Sequence, residues 1–482
     1  MANDNDTQPG VTRHFCSWVE GLTLEDIPED IKTRAKYLIL DGVGCALVAS
    51  HLPWTEKATS IVLGMEGEGP CPVWGYDKKI SPLPAALLNS TAIQGFEIDD
   101  WHSLAPVHSN AIVLPALFAA ASNARSTGTG PVSSGSSLLL ATIAGYETGP
   151  RVGLALYGSH MLSRGWHSGV VFGHAQAAAA VAKLLHLPTD QIEDALGIAC
   201  TQACGLMSAQ FSSDAKRMQH GFAARNGLFG ALLAAGGYSG IKNVFEERYG
   251  GFLGTFSQGS GKEPPYVEEE IVKGLGEIWQ TENIRVKPYA AMAGTHGSID
   301  AMAALQREYP DQLENLKRIK KITFEMSEAA FKHGGWIAKR PLTATGAQMS
   351  CAYVAAVQLL DGQVLAEQFR DSNLNREELW ELVGKTECWQ TEEFENLMSQ
   401  RATVEFEDGR LISTFVGAAK GVDPPLTNGE IVDKFRMFTR GLITQERQRK
   451  IEELVLGLER LEDIAELEAL LSGITKSPFE GS

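Results

Sequence analysis

Hydrophobic positions in the first 280 residues recur mainly at the three- and four-residue spacing of helices. Pro28 opens the first clear case, after which Ile31, Ala35, Leu38, Gly42 and Cys45 form one apolar stripe. Further helices are predicted over 112–121, where Pro115 should introduce a kink, and over 136–155, 170–187, 189–207 and 221–235. Many of these are rich in Ala and Gly, whose small side chains let helix axes approach closely. The expectation is a tightly packed bundle, with most helices covered on several sides.

After Trp279 the period changes. Ile322, Phe324 and Met326 alternate with Lys321, Thr323 and Glu325, and 402–415 reads as strand, Asp408-Gly409 turn, strand. Helical segments at 296–309, 348–360 and 376–382 lie between these sheet signals, and the last fifty or so residues return to helix, with Ile451, Leu454, Leu458, Leu461 and Ile464 as a stripe. The fold class read from this is mainly α. Residues 1–280 form the first part of a helical domain, 281–425 a smaller α+β domain, and 426–482 helices that return to the first domain. The Gly/Ser-rich stretch 122–136 reads as a solvated connection.

Composition narrows the function. The 482 residues are 44% hydrophobic and 21% charged, a globular balance, with a formal net charge of -17. Such a surface repels nucleic acid and anionic membranes, so an anionic ligand needs a local cluster of cations. The polar N-terminal segment carries neither a secretory nor a transit pattern, and the longest apolar run, around 111–121, is too short to span a bilayer. Seven cysteines within apolar stretches read as free thiols of a reducing compartment, which points to the cytosol. Cys200 and Cys204, four apart on an apolar helix face, read as core, and neither they nor His102 and His108 have a companion pair at zinc spacing. No phosphate-cradling loop or nucleophile elbow is present, so neither a metal nor an organic cofactor is expected.

Three polar clusters interrupt the apolar helices. In 95–110, GFEIDDWHSLAPVHSN, Glu97, Asp99, Asp100, His102 and His108 lie between segments that otherwise want burial, which suggests a pocket wall; the alternative is a loop in which Asp99 or Asp100 caps the next helix. In 214–225, DAKRMQHGFAAR, the cations Lys216, Arg217 and Arg225, with His220, stand at or near a helix start, where positive charge opposes the dipole unless an anion sits there. The third, IRVKPYAAMAGTHGSID, places Arg285, Lys287, Tyr289 and His296 at the predicted domain crossing. His167, in GWHSGVVFG, is flanked by glycines that permit close approach of backbone to a ligand. Acids, imidazoles and cations without an electron sink suit proton transfer beside carboxylates, or loss of a carboxylate followed by protonation.

These segments, together with RAKYLILDG, GYETGPRVG and EDALGIACTQACGLMSAQ, resemble the family that includes 2-methylcitrate dehydratase, iminodisuccinate epimerase and cis-aconitate decarboxylase. Within it they look most like the fungal cis-aconitate decarboxylases, which make itaconate. The resemblance implies a helical domain built from both chain ends, an inserted α+β lid, a homodimer, and a site between lid and bundle that acts on a small polycarboxylate without a cofactor. It places catalytic roles on His108, Lys216 and His296 and an acid at Glu97; the polar clusters themselves add Asp100 to the catalytic set and His102, His167, Arg217, His220, Lys287 and Tyr289 as substrate contacts. Decarboxylation of cis-aconitate or an alkylated aconitate is the expected reaction, with dehydration of 2-methylcitrate or an alkylcitrate as the alternative. Trp101 and Leu104 depart from the fungal pattern toward a more apolar wall.

Overall fold

Alanine and glycine decide how closely the helices meet. The computed structural model describes residues 9–130, 132–210, 213–394 and 398–480; the first eight residues of the polar start and Pro131 of the Gly/Ser-rich connection lie outside them. The helices that carry the argument are α1 (Glu29–Ala49), α2 (Pro53–Met65), α3 (Pro82–Ile93), α4 (Ser109–Thr127), α5 (Gly135–Ala155), α6 (Ser168–Leu184), α7 (Thr189–Cys200) and α8 (Ala215–Ala235). Helix α6 lies at the centre, packed by α4, α5, α7 and α8, and every residue of it is buried. A Cβ on Gly227 of α8 would stand 2.4 Å from the Ala177 Cβ and 2.7 Å from the His174 carbonyl oxygen, so only glycine lets α8 and α6 come this close.

The later half is mixed. Strand β1 (Asp100–His102) pairs antiparallel with β2 (Ile284–Val286), which ties the acidic segment to the start of the second half. Helix α9 (His296–Glu308) and helix α10 (Cys351–Asp361) pack on each other beside a four-stranded sheet. Its strands are β3 (Ile319–Met326), β4 (Thr386–Gln390), β5 (Gln400–Phe406) and β6 (Leu411–Val416), in the order β4-β3-β5-β6 with only β4 and β3 parallel. Helix α11 (Asn428–Phe438) and helix α12 (Gln445–Leu456) then pack on α1 near the opposite end of the chain. The fold is mainly α. No single described helix is long and apolar enough to cross a membrane.

Several boundaries differ from the sequence reading. The helix expected over 189–207 stops at Cys200, and Gly205 at φ +116° lies beyond it. Cys204 is therefore exposed rather than core, while Cys200 is buried as expected. The stretch 122–136 is mostly helix, since α4 runs to Thr127 and α5 begins at Gly135. The segment 348–360 is broken where Ser350 caps α10, its hydroxyl accepting from the Tyr353 amide. The apolar stripe of the tail is divided: Ile451 and Leu454 lie in α12, Leu458 in a short 3-10 turn, and Leu461 and Ile464 in the link before a last helix, Ala465–Ser472. Strand β4 was missed: its residues Thr386–Gln390 carry no buried alternation, and parallel pairing with β3 holds it.

Candidate active site

Four of the predicted residues sit where helices begin. His108 is the N-cap of α4, His167 the N-cap of α6, Lys216 the second residue of α8 and His296 the first of α9. The N-terminal end of a helix carries partial positive charge and unpaired amides, so groups placed there face an environment that favours anions. His220 follows Lys216 by one turn and shares its side of α8. The His220 ring lies 4.5 Å from that of His108 and 4.9 Å from that of His167, so the starts of α4, α6 and α8 meet at one place.

The acidic segment supplies the counter-charges. Lys287 donates from Nζ to Glu97 Oε2 at 3.1 Å and to Asp99 Oδ1 at 3.0 Å. Arg217 donates to Glu97 Oε1 at 3.0 Å, and Lys216 forms an ion pair with the same carboxylate. His108 Nδ1 is 2.6 Å from Asp99 Oδ2. Burial would raise an isolated carboxyl, but Lys287 and His108 overturn that and hold Asp99 well below the ordinary range. An ionised Asp99 accepts only, so Nδ1 carries the hydrogen and Nε2 is left for chemistry. The sequence reading counted Asp99 in the cluster without giving it a role; its pairing with His108 depends on the fold bringing positions nine apart together.

The cations are crowded. Burial, then the charges of Arg217 and Lys287, push the Lys216 amine well below its usual value. Arg217 is pushed down to about 10, with burial the leading cause. Arg217 is also held from outside the cluster: it donates to Gln348 Oε1 at 2.5 Å and Thr345 Oγ1 at 3.2 Å and lies over the Trp54 ring. Its guanidinium therefore positions Glu97 more than it awaits a ligand. Neither Gln348 nor Thr345 was singled out in the sequence, since a neutral polar side chain in an apolar helix carries no spacing signal.

Burial holds three of the imidazoles neutral. Burial drives His167 and His296 down to about 3, so both are neutral near pH 7. His220 is pushed well below its ordinary value by burial and then by His108, His167, Lys216 and Lys287. Both ring nitrogens of His220 and Nδ1 of His167 are buried without a hydrogen-bond partner among the described residues. Buried orphan nitrogens beside a carboxylate-paired histidine mark a place that a polar ligand or water completes. The close approach allowed by Gly169 serves His220, since a Cβ there would stand 2.5 Å from its Nε2.

Other predicted residues lie outside this set of contacts. Asp100 caps α4, accepting from the amides of Ser109 at 2.8 Å and Asn110 at 3.1 Å, which is the alternative weighed for this segment. Burial and the charge of Asp99 push Asp100 up to about 7. His102 Nδ1 accepts from the Ala105 amide at 3.0 Å. Tyr289 donates to Asp300 at 2.5 Å and packs edge-on against His296, whose Nε2 is 3.0 Å from the Ala291 carbonyl oxygen. His296 thus neighbours the cluster through Lys287, which contributes to its lowered value, without a hydrogen bond to it. Arg225 bonds Asn226, and Arg285 bonds the carbonyls of Val422 and Glu282, so neither joins the site. Leu104 is 54% exposed and forms no buried wall, whereas Trp101 is buried.

The chain is similar to known proteins over nearly its whole length. The cis-aconitate decarboxylase-like protein oryM of Aspergillus oryzae is 50% identical over 476 residues, covering 98% of this chain and 99% of its own length. The cis-aconitate decarboxylase of Aspergillus terreus is 48% identical over 485 residues, 99% of each chain, and that of Homo sapiens 27% over 476 residues, 96% of this chain and 95% of its own. Residues 13–264 match the MmgE/PrpD N-terminal domain and residues 289–460 the MmgE/PrpD C-terminal domain. With both domains present over most of its length, the chain belongs to the MmgE/PrpD family.

Proposed function

We propose that the protein is a carboxy-lyase that converts cis-aconitate to itaconate. The observation that carries this reading is the His108–Asp99 pair facing partnerless buried imidazoles, beside cations crowded enough for an anion to relieve them. The names of relatives at 48–50% identity support the same reaction and give no support to dehydration. In the reaction, the bond from the methylene carbon to its carboxylate breaks and carbon dioxide leaves. The electron pair shifts through the allylic system, moving the double bond, and the far alkene carbon takes one proton.

Each step has a group of suitable chemistry. Lys287 and Lys216 have N–H donors beyond those given to Glu97 and Asp99, and these grip the carboxylates that stay. Neutral His167 and His220 add short-range hydrogen bonds without further charge. His108 Nε2 delivers the proton, and Asp99 supports the imidazolium before transfer. His296, driven down to about 3 by burial, suits orientation rather than proton donation. The finer architecture belongs to the proposal as well: residues 281–425 act as a lid on a helical body of 1–280 and 426–482, supported by α11 packing on α1. The same proposal includes a homodimer, supported by the family resemblance, and cytosolic residence, supported by the seven free cysteines.

Purified protein incubated with cis-aconitate in deuterium oxide should release carbon dioxide and give itaconate with one deuterium on the saturated carbon that was the far alkene carbon, and none on the terminal alkene carbon. Unchanged cis-aconitate, or a product retaining all three carboxyl groups, would rule the reading out.

A further inference from the structure

Glu97 adopts φ +59° and ψ +28°, a left-handed conformation that a residue with a side chain rarely takes, and it is buried. Such a backbone persists only where its surroundings over-determine it. Three side chains from distant elements grip the carbonyls around it. Trp54 of α2 donates to the Gly95 oxygen at 2.9 Å, Gln348 donates to the Phe96 oxygen at 2.8 Å, and Lys434 of α11 donates to the Ile98 oxygen. Lys434 is itself held by Asp41 of α1 at 2.6 Å, and both side chains are buried. Cys45, one turn after Asp41, also approaches the Ile98 oxygen at 3.5 Å.

A buried ion pair is weak support for stability, because well-packed apolar residues of similar size often do as well. This pair does something an apolar pair cannot: it donates to the carbonyl of Ile98, the one residue between Glu97 and Asp99. Glu97 receives Lys216, Arg217 and Lys287, while Asp99 receives Lys287 and His108. A turn of the Ile98 peptide would swing both carboxylates away from their cations and rotate His108.

We propose that Lys434, anchored by Asp41, is a positioning residue for catalysis: it fixes the Ile98 carbonyl, and with it the relative orientation of Glu97 and the Asp99–His108 pair. This rests on the decarboxylase reading of the site for its kinetic consequence, though not for its structural one. Lys434 touches no reacting atom in this scheme.

The test compares two double variants. Lys434→Met with Asp41→Leu removes the donor and the buried charge together. Lys434→Gln with Asp41→Asn keeps a neutral donor to the carbonyl. Amide hydrogen exchange over 95–102 is read without substrate, and kcat and KM with cis-aconitate. The first variant should exchange faster over 95–102, with α1 and α11 still protected, and lose about ten- to a hundredfold in kcat with little change in KM. The second should recover most of both losses. Wild-type exchange and kcat in the first variant, or equal impairment in the second, would overturn the proposal. Should the first pair not fold, Lys434→Met with Asp41→Asn keeps the polar shape at position 41 and is read by the same criteria. If the wild-type protein fails to decarboxylate cis-aconitate, the functional reading falls while the exchange data still decide whether the carbonyl is held.

Discussion

Two buried ionic sites in this molecule use similar residues to different ends. In α5, Glu147 accepts from the amides of Gln280 at 2.8 Å and Thr281 at 2.9 Å and from the Thr281 hydroxyl at 2.9 Å, with Arg151 3.5 Å away. Arg151 in turn donates to the carbonyls of Lys273 at 2.7 Å and Ile278 at 2.6 Å. One acid and one base are satisfied largely by backbone, and the result is a tie between α5 and the segment 273–281. Around Glu97 and Asp99, by contrast, three cations crowd two carboxylates, and both nitrogens of His220 and Nδ1 of His167 lack hydrogen-bond partners among the described residues. One acid matched to one base and held by backbone marks a structural site, even with Arg151 Nε left to an ion pair alone; crowding of like charge beside several orphan imidazole nitrogens marks one that expects a visitor. Both sites come from motifs shared with the same family, so the motif alone does not separate them.

The contrast can be broken in four ways. His108→Ala should lower turnover by about 10²–10⁴-fold, the usual worth of positioned proton transfer, with the circular dichroism spectrum and Tm close to wild type. Near-normal kcat would remove His108 from the role. Arg151→Met should do the reverse: it strands Glu147 and costs about 3–5 kcal/mol in chemical denaturation, while kcat per folded molecule holds. A variant that is stable but inactive would erase the distinction between the sites.

Smaller effects sharpen it. A non-reactive tricarboxylate at about a hundred times its Kd should stabilise the wild type by about 2.7 kcal/mol through mass action, seen as a rise in Tm. That rise should shrink in Lys287→Met and persist in Arg151→Met. The effect that is smallest per step measured is one of pH. Asp100 is pushed up to about 7 in the folded chain, above its unfolded value of about 3.9. The folded state therefore binds the proton more tightly, and this stability is present below about pH 4 and lost as pH rises through about 7, at up to about 1.4 kcal/mol per unit. Asp100→Asn should flatten the fall in denaturation free energy over that window; parallel curves for the two proteins would show that Asp100 does not titrate there.

Much of this was legible before any coordinates. The helix start near Glu29 follows from Pro28, those near Gly135 and Thr189 from apolar spacing, and the alternation at 322–326 and the Asp408-Gly409 turn mark three of the sheet's strands. The acid, the lysines and the histidines at the core of the site stood out because charge in an apolar context is costly. What escaped was any feature that needs two distant segments at once. The β1–β2 pairing, the Gln348 and Thr345 contacts to Arg217, and the Asp41–Lys434 bond leave no periodic trace in either partner alone. His102 and Asp100 looked reactive because their neighbours are, but a strand sends successive side chains to opposite faces and a helix start needs a cap. Cys204 shows the converse error, an apolar spacing continued past Cys200, where the helix had already ended.

The close seat of α8 on α6 has a consequence for any attempt to re-engineer this enzyme. Gly227 lies eleven residues beyond Lys216, about 16 Å along the helix axis at 1.5 Å per residue. A single methyl added there would meet the Ala177 methyl and the His174 carbonyl, neither of which is the tip of a flexible side chain. The helix would have to lever outward as a rod, carrying its charged amine and its imidazole out of alignment together. Tuning for new substrates is therefore best confined to the mouths of the loops, because the scaffold beneath behaves as a lever with no slack.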